Sequence, residues 1–149
     1  MALIQLPSGP ERLLIEMDVP FASPPVLFRY WTEPELLVQW WPQCAELEPR
    51  VEGMYHLSWP TMNWHLRGRY LAFEPGARLA FTWRWDHDGP ETGEKTVELL
   101  FSSLADGGTR LRLEHGLYLA TPAEQELRVE HHLAGWQHFL VRLQQALAC

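Results

Sequence analysis

Cysteine is scarce. Cys44 and Cys149 are the only two among 149 residues and form no C-x-x-C pair. A bridge to the last residue would close little, so both read as free thiols of a reducing compartment. No stretch approaches the roughly 18 consecutive apolar residues of a membrane helix, and the opening MALIQLPSG has neither the cationic start nor the apolar run of a secretory leader. The expected address is therefore cytoplasmic, with no membrane partner. Basic residues are outnumbered, 12 against 19 acidic, which gives a net charge of −7 and a pI near 5.4. Such a surface repels a phosphate backbone, so nucleic acid is excluded as a partner. Nucleotide and hydrolase signatures are missing too: there is no P-loop, G-x-G-x-x-G, G-x-S-x-G or H-E-x-x-H. No cofactor is expected.

What the chain has in abundance is tryptophan, eight residues, including the pairs Trp40, Trp41 and Trp83, Trp85. Indole buries a large area but wants a partner for its N–H, so it suits a wide core or the wall of a pocket. At this length a chain buries roughly 70% of its unfolded surface, enough for a real core. No repeat or long linker divides it, and one domain over residues 12–149 is expected, with 1–11 as a loose lead-in. RLLIEMDV (12–19) alternates as a half-buried strand. Ser23-Pro24 starts a first short helix to about Trp31, and Thr32 with Pro34 starts a second that runs to Trp40. Six strands follow at about 45–51, 54–59, 64–73, 78–85, 95–103 and 109–115, separated by turn residues. In LAFTWRW, Leu79, Phe81, Trp83 and Trp85 face inward while Ala80, Thr82 and Arg84 face out.

Thr121-Pro122-Ala123-Glu124 is a capping box that opens a long last helix, whose core stripe is Val129, Leu133, Trp136, Leu140, Leu143 and Leu147. The opposite stripe of Leu127, His131, Ala134, His138 and Val141 is left to solvent or to a homodimer contact. His131, His132 and His138 lack the i, i+4 spacing of helical metal pairs, because Gly135 and Trp136 occupy the partner positions. They are assigned to a solvated or interface face, and no metal site is expected. The expected fold class is α+β, with a curved antiparallel seven-strand sheet (β-α-α-β6-α) around the last helix.

This order resembles the START-like (SRPBCC) helix-grip superfamily. More narrowly, it resembles the AHSA-like branch named after the activator of the heat-shock-protein-ninety ATPase. The residues that carry the resemblance are VLFRYWTEPELLVQWWP (26–42), the turn Val51-Glu52-Gly53, GRYLAFEPGARLAFTWRW (68–85), Gly135-Trp136 and the leucine-spaced helix end. The chain departs from the pattern at Met54, where many relatives have a second glycine. The resemblance implies hydrophobic-ligand binding in some members, cyclase activity or resistance to toxic small molecules in a few, and chaperone stimulation in the namesake.

One helix cannot fill a sheet of this width, so a cavity is expected between them. Its ligand-binding wall is expected from Trp64, Tyr70, Phe81, Trp83, Leu99, Phe101, Leu113, Trp136 and Phe139, with His115 as the polar contact at the end of the last strand. A small apolar or aromatic molecule is the expected partner, to be bound, carried or sequestered. The competing readings are a cyclase or hydrolase-like enzyme using His115 with a nearby acid, and a chaperone partner implied by the family name alone. Against the enzyme, no second inward titratable group can be placed; against the chaperone partner, the chain carries no added docking segment.

Overall fold

Alternating burial builds the sheet. In the computed structural model, which describes residues 3–148, strand β2 (Arg12–Val19) buries Leu13, Ile15, Met17 and Val19 and turns the residues between them outward. Two short helices follow, α1 (Pro24–Thr32) and α2 (Pro34–Leu37), each with proline in its first turn. Thr32 closes α1 rather than capping α2, its hydroxyl donating to the Phe28 carbonyl at 2.9 Å. The strands β3 (Cys44–Leu47), β4 (Met54–Trp59), β5 (Trp64–Glu74), β6 (Arg78–Trp85), β7 (Lys95–Ser103) and β8 (Thr109–Gly116) complete an antiparallel meander. The short β3 stops well before Val51 because Pro49 offers no N–H and the chain turns back through Glu52, whose φ is positive at 68°.

The sheet has eight strands, not the seven expected, in the order β1-β2-β8-β7-β6-β5-β4-β3. The additional strand, β1 (Leu3–Leu6), lies in the stretch expected to be a loose lead-in. It pairs with β2 from Leu3↔Met17 to Leu6↔Leu14 and so satisfies the outer backbone edge of β2, while Leu3 packs on the core. In β6 the expected wet face is partly dry: Ala80 and Thr82 are buried beside Leu79 and Phe81. The Thr82 hydroxyl accepts the Arg69 N–H at 3.0 Å, next to a register shift in β5 between Tyr70 and Ala72.

The last helix is not uniform. Helix α3 (Pro122–Glu126) widens into a π-helical segment, Leu127–Leu133, before α4 (Ala134–Ala148) resumes the α-helical period. Among the described residues no helix is long and apolar enough to cross a membrane. The wide turns correct the expected stripe. Val129 is 40% exposed and Leu133 only half-buried, whereas His132, expected on the solvated face, is 6% exposed. An i→i+5 step places Leu127 and His132 on one line, which Trp136 and Leu140 continue at intervals of four. From Trp136 onward the expected stripe is inward, with Leu140 and Leu143 fully buried.

Leu140→Ala should therefore cost about 2–5 kcal/mol through lost burial and a residual cavity, while Val129→Ala should stay within about 0.5–1 kcal/mol. Urea melts of the two variants check this, and equal losses would mean that the helix is seated on a different face.

Candidate functional site

A cavity of about 550 Å³ opens between the sheet and the last helix. Six of the eight tryptophans line it: Trp41, Trp59, Trp64, Trp83, Trp85 and Trp136. The topology explains the convergence. Trp59 and Trp64 are register partners across the β4–β5 turn, Trp83 and Trp85 share the inner face of β6, and Trp41 follows α2 onto the same side. Trp41 stacks between Trp40 and Trp83, at 5.4 Å and 5.9 Å with interplanar angles of 24° and 20°. It also meets Trp136 at 5.2 Å. The π-helical segment contributes Leu127, Glu130, His131 and His132, and α4 adds Gly135 and Phe139. The exposed lining residues Trp64, His87, Glu130 and His131 form the rim, with Asp88 beside them. The volume falls in the range of small-molecule sites, about 300–1,000 Å³.

Behind this aromatic wall lies a buried polar group. Lys95, the chain's only lysine, is 2% exposed and forms an ion pair with Glu124 of α3. Glu124 also accepts the Leu119 N–H at 3.1 Å. Burial pushes the Glu124 carboxyl upward, but the hydrogen bonds from Lys95 and Leu119 and the lysine charge together hold it below its usual value. The Lys95 ammonium sits 5.4 Å from the centre of the Tyr118 ring. The Tyr118 hydroxyl lies 2.6 Å from His132 Nδ1, and Trp136 Nε1 donates to His115 Nδ1 at 3.0 Å. The two imidazoles stack at 4.5 Å and 7°, and Trp83 crosses both. Burial, the neighbouring His132 and the Lys95 charge push His115 well below its usual value. Burial, Lys95 and His131 push His132 down to about 3. Both rings are therefore neutral at physiological pH.

The expected wall divides three ways. Trp64, Trp83, Trp136 and Phe139 line the large cavity. Tyr70 and Phe81 line a small void of about 10 Å³, room for about one water molecule. Leu99, Phe101, Leu113 and His115 are buried in the packed interior and line neither. Sequence reasoning missed Trp41, Trp59, Trp85, His87 and the whole contribution of the π-helical segment. The Trp59–Trp64 pairing was readable from the short turn between their strands; the wide helix was not, because the α-helical period was applied throughout. Elsewhere, His56 lies half-buried on the outer face, 2.8 Å from His65. Asp86 is held by Arg67 at 2.9 Å, and Arg84 donates to the Thr92 carbonyl. Cys44 is an exposed free thiol, and Cys149 lies outside the described residues.

Comparison with known proteins agrees with this architecture. The family model described as Activator of Hsp90 ATPase homolog 1-like protein matches residues 22–148. No curated protein matches the sequence. Among solved structures, protein MLL2253 from Mesorhizobium loti is 25% identical, with a TM-score of 0.80 over 92% of this chain and 96% of that one. CalU16 from Micromonospora echinospora is 23% identical, with a TM-score of 0.72 over 99% and 84%. An HSP90 activator from Plasmodium falciparum is 23% identical, with a TM-score of 0.74 over 93% and 96%. The last two are likenesses of fold.

Removing one partner of the buried ion pair, as in Lys95→Met, should cost about 3–5 kcal/mol because Glu124 is left as an unmatched charge. Adding Glu124→Gln should recover most of that loss in urea melts; a double variant no more stable than Lys95→Met would show that the charges do not act as a pair. The buried imidazoles set a second expectation. In the unfolded chain they return to about 6.5, so below that pH the unfolded state binds protons that the folded state refuses. Stability should fall from about pH 6.5 down toward the folded value of about 3 for His132, at up to about 1.4 kcal/mol per pH unit for each imidazole. His132→Gln should remove roughly one proton from this slope, and an unchanged slope would exclude a neutral buried His132.

Proposed function

This chain belongs to the Activator of Hsp90 ATPase homolog 1-like protein family, and from that premise we propose that it binds, carries or sequesters a small hydrophobic or aromatic molecule in its tryptophan-walled cavity. The observation that carries this reading is the concentration of six of eight tryptophans on one cavity of about 550 Å³. Fold membership alone does not choose a function; the wall chemistry is what supports this reading. Rigid indoles bury ligand area at little entropic cost and stack on planar rings, and each occupied face adds area removed from water at about 25 cal/mol per Å².

A catalytic reading built on His115 has less support. The ring is fully buried behind the wall, and its neighbours are Trp83, Tyr118, His132 and Trp136 rather than a carboxylate. The acid in this buried group, Glu124, is already held by Lys95. A chaperone partner has only the family description and the likeness to the Plasmodium activator behind it.

Gly135 provides a clean test. It lines the cavity, and a Cβ built there meets no atom within 4 Å. The first side-chain atom of Gly135→Leu therefore enters open space, the side chain should take up part of the cavity, and replacing a helical glycine should stabilise the fold by about 0.5–1 kcal/mol. A panel of polycyclic aromatics, fatty acids and sterols, followed by tryptophan emission, should bind the native chain, and its bulkiest members should bind more weakly to Gly135→Leu. Emission and melting temperature unmoved by every member of the panel would sink the binding reading.

A further inference from the structure

Two carboxylates, Asp88 and Glu130, line the tryptophan cavity, and among the described residues that line it there is no lysine or arginine. Asp88 comes from the turn after β6, on the sheet side, and Glu130 from the π-helical segment, on the helix side. Neither takes part in an ion pair among the described residues. Asp88 accepts the Trp85 backbone N–H at 3.0 Å, which holds its carboxylate at the end of the strand that carries that indole. The basic groups are engaged elsewhere or stand outside the lining. Lys95 is sealed behind the wall against Glu124, and Arg84 donates to the Thr92 carbonyl. Arg142 is exposed, 6.0 Å from the centre of the Phe139 ring, and does not line the cavity.

The same cavity presents indole faces. Trp85 meets Trp59, Trp64 and Trp83 at 5.4, 6.0 and 5.6 Å; Trp64 is exposed and Trp85 half-buried, so these rings are not sealed into the core. The face of an aromatic ring carries partial negative charge, and among side chains indole attracts a cation best. Carboxylates and indole faces therefore act in one direction: both favour a positive ligand and both disfavour an anion. The net charge of −7 extends that field beyond the mouth. The kind of cation follows from the dryness of the wall. A protonated amine would strand N–H groups against indole carbon, whereas a quaternary or ring nitrogen without N–H has none to strand.

Resting on the binding reading above, we propose that the cavity selects hydrophobic organic cations, aromatic molecules whose positive charge sits on a quaternary or ring nitrogen without N–H. The indoles take the ring body, Asp88 and Glu130 supply the counter-charge, and aromatic acids of the same size are rejected.

Three probes share one fused-ring frame and differ in charge: N-methylquinolinium is a cation, 1-methylnaphthalene its neutral isostere and 1-naphthoate an anion. Equilibrium dialysis against the native chain is run at about pH 8, above the ordinary range of imidazole. N-methylquinolinium should bind about tenfold tighter than 1-methylnaphthalene, the order of a desolvated cation–π contact, and 1-naphthoate should bind weakest. Raising the salt from about 0.02 to about 0.5 M should shrink the advantage of the cation. 1-Methylnaphthalene should displace N-methylquinolinium, since both occupy the same cavity. Asp88→Asn combined with Glu130→Gln keeps an acceptor for the Trp85 N–H. It should weaken N-methylquinolinium about three- to tenfold and bring 1-naphthoate up toward 1-methylnaphthalene.

Should that variant fail to fold, the ranking, the salt response and the displacement on the native chain decide. Equal affinity for the cation and its neutral isostere, or tightest binding of 1-naphthoate, overturns the proposal and leaves the cavity reading intact. So does a folded double variant that keeps the native ranking. A cation that 1-methylnaphthalene does not displace is held on the acidic surface, which overturns the proposal as well. No binding by any of the three overturns both readings.

Discussion

The ion pair between Lys95 and Glu124 sets the geometry on which the site depends. It joins the first residue of β7 to the first turn of α3, with both charges almost sealed from water. Glu124 is the third residue after the Thr121 cap and would ordinarily reach back to its own helix start. The Thr121 half of that box is formed, since its hydroxyl accepts the Glu124 N–H at 3.3 Å. The Glu124 carboxylate instead turns to Lys95 and to the Leu119 N–H. The helix is thereby anchored to the sheet at its start, opposite Trp83, the register partner of Lys95. A buried pair of this kind gives modest net stability, but breaking it is costly, which makes it a device for register more than for strength.

That anchor has consequences one turn further along. The π-helical segment begins three residues after Glu124 and carries His132 inward against Tyr118. The same lysine charge that holds Glu124 ionised opposes protonation of both imidazoles. A neutral pair of rings can stack at 4.5 Å; a doubly charged pair at that distance would repel strongly in so dry a setting. Electrostatics behind the wall are thus one arrangement, with the Lys95 and Glu124 charges compensated inside and the two imidazoles beside them held neutral.

The sequence was legible where one rule acted alone. Period-two alternation placed Leu79, Phe81 and Trp83 on the inner face, and proline and glycine punctuation located the turns closely enough to order seven of the eight strands. It failed where a distant partner overrode a local signal. Leu3–Leu6 is too short for a periodic pattern and becomes a strand because β2 offers it an unpaired edge. Glu124 reads as half of a capping box until Lys95, 29 residues earlier, takes its carboxylate. His132 reads as solvated under the α-helical period and is buried under the π-helical one. Only four of the ten expected wall residues, Trp64, Trp83, Trp136 and Phe139, line the large cavity. Strand alternation reports which face a side chain takes, not how far along that face the void extends.

The void itself follows from a mismatch of widths. Eight strands curve around one helix, and the rows beneath α4, where Leu140 and Leu143 sit, are filled by close packing. Toward the start of the helix the wider π turns carry His132 inward and spread Leu127, Glu130 and His131 over the mouth of the sheet instead of packing them tightly into it. Large indoles cover the exposed faces of the gap without closing it, and two of the eight, Trp31 and Trp83, leave their N–H groups buried and unpaired. In a core meant only to be packed, such groups are a liability of about 1–3 kcal/mol each. Trp31 borders the small void and Trp83 the large one. The second location is the informative one, because there the indole and the neighbouring His132 ring form the wall of a space large enough to hold a small molecule, and burial of their polar atoms is the cost of an aromatic wall.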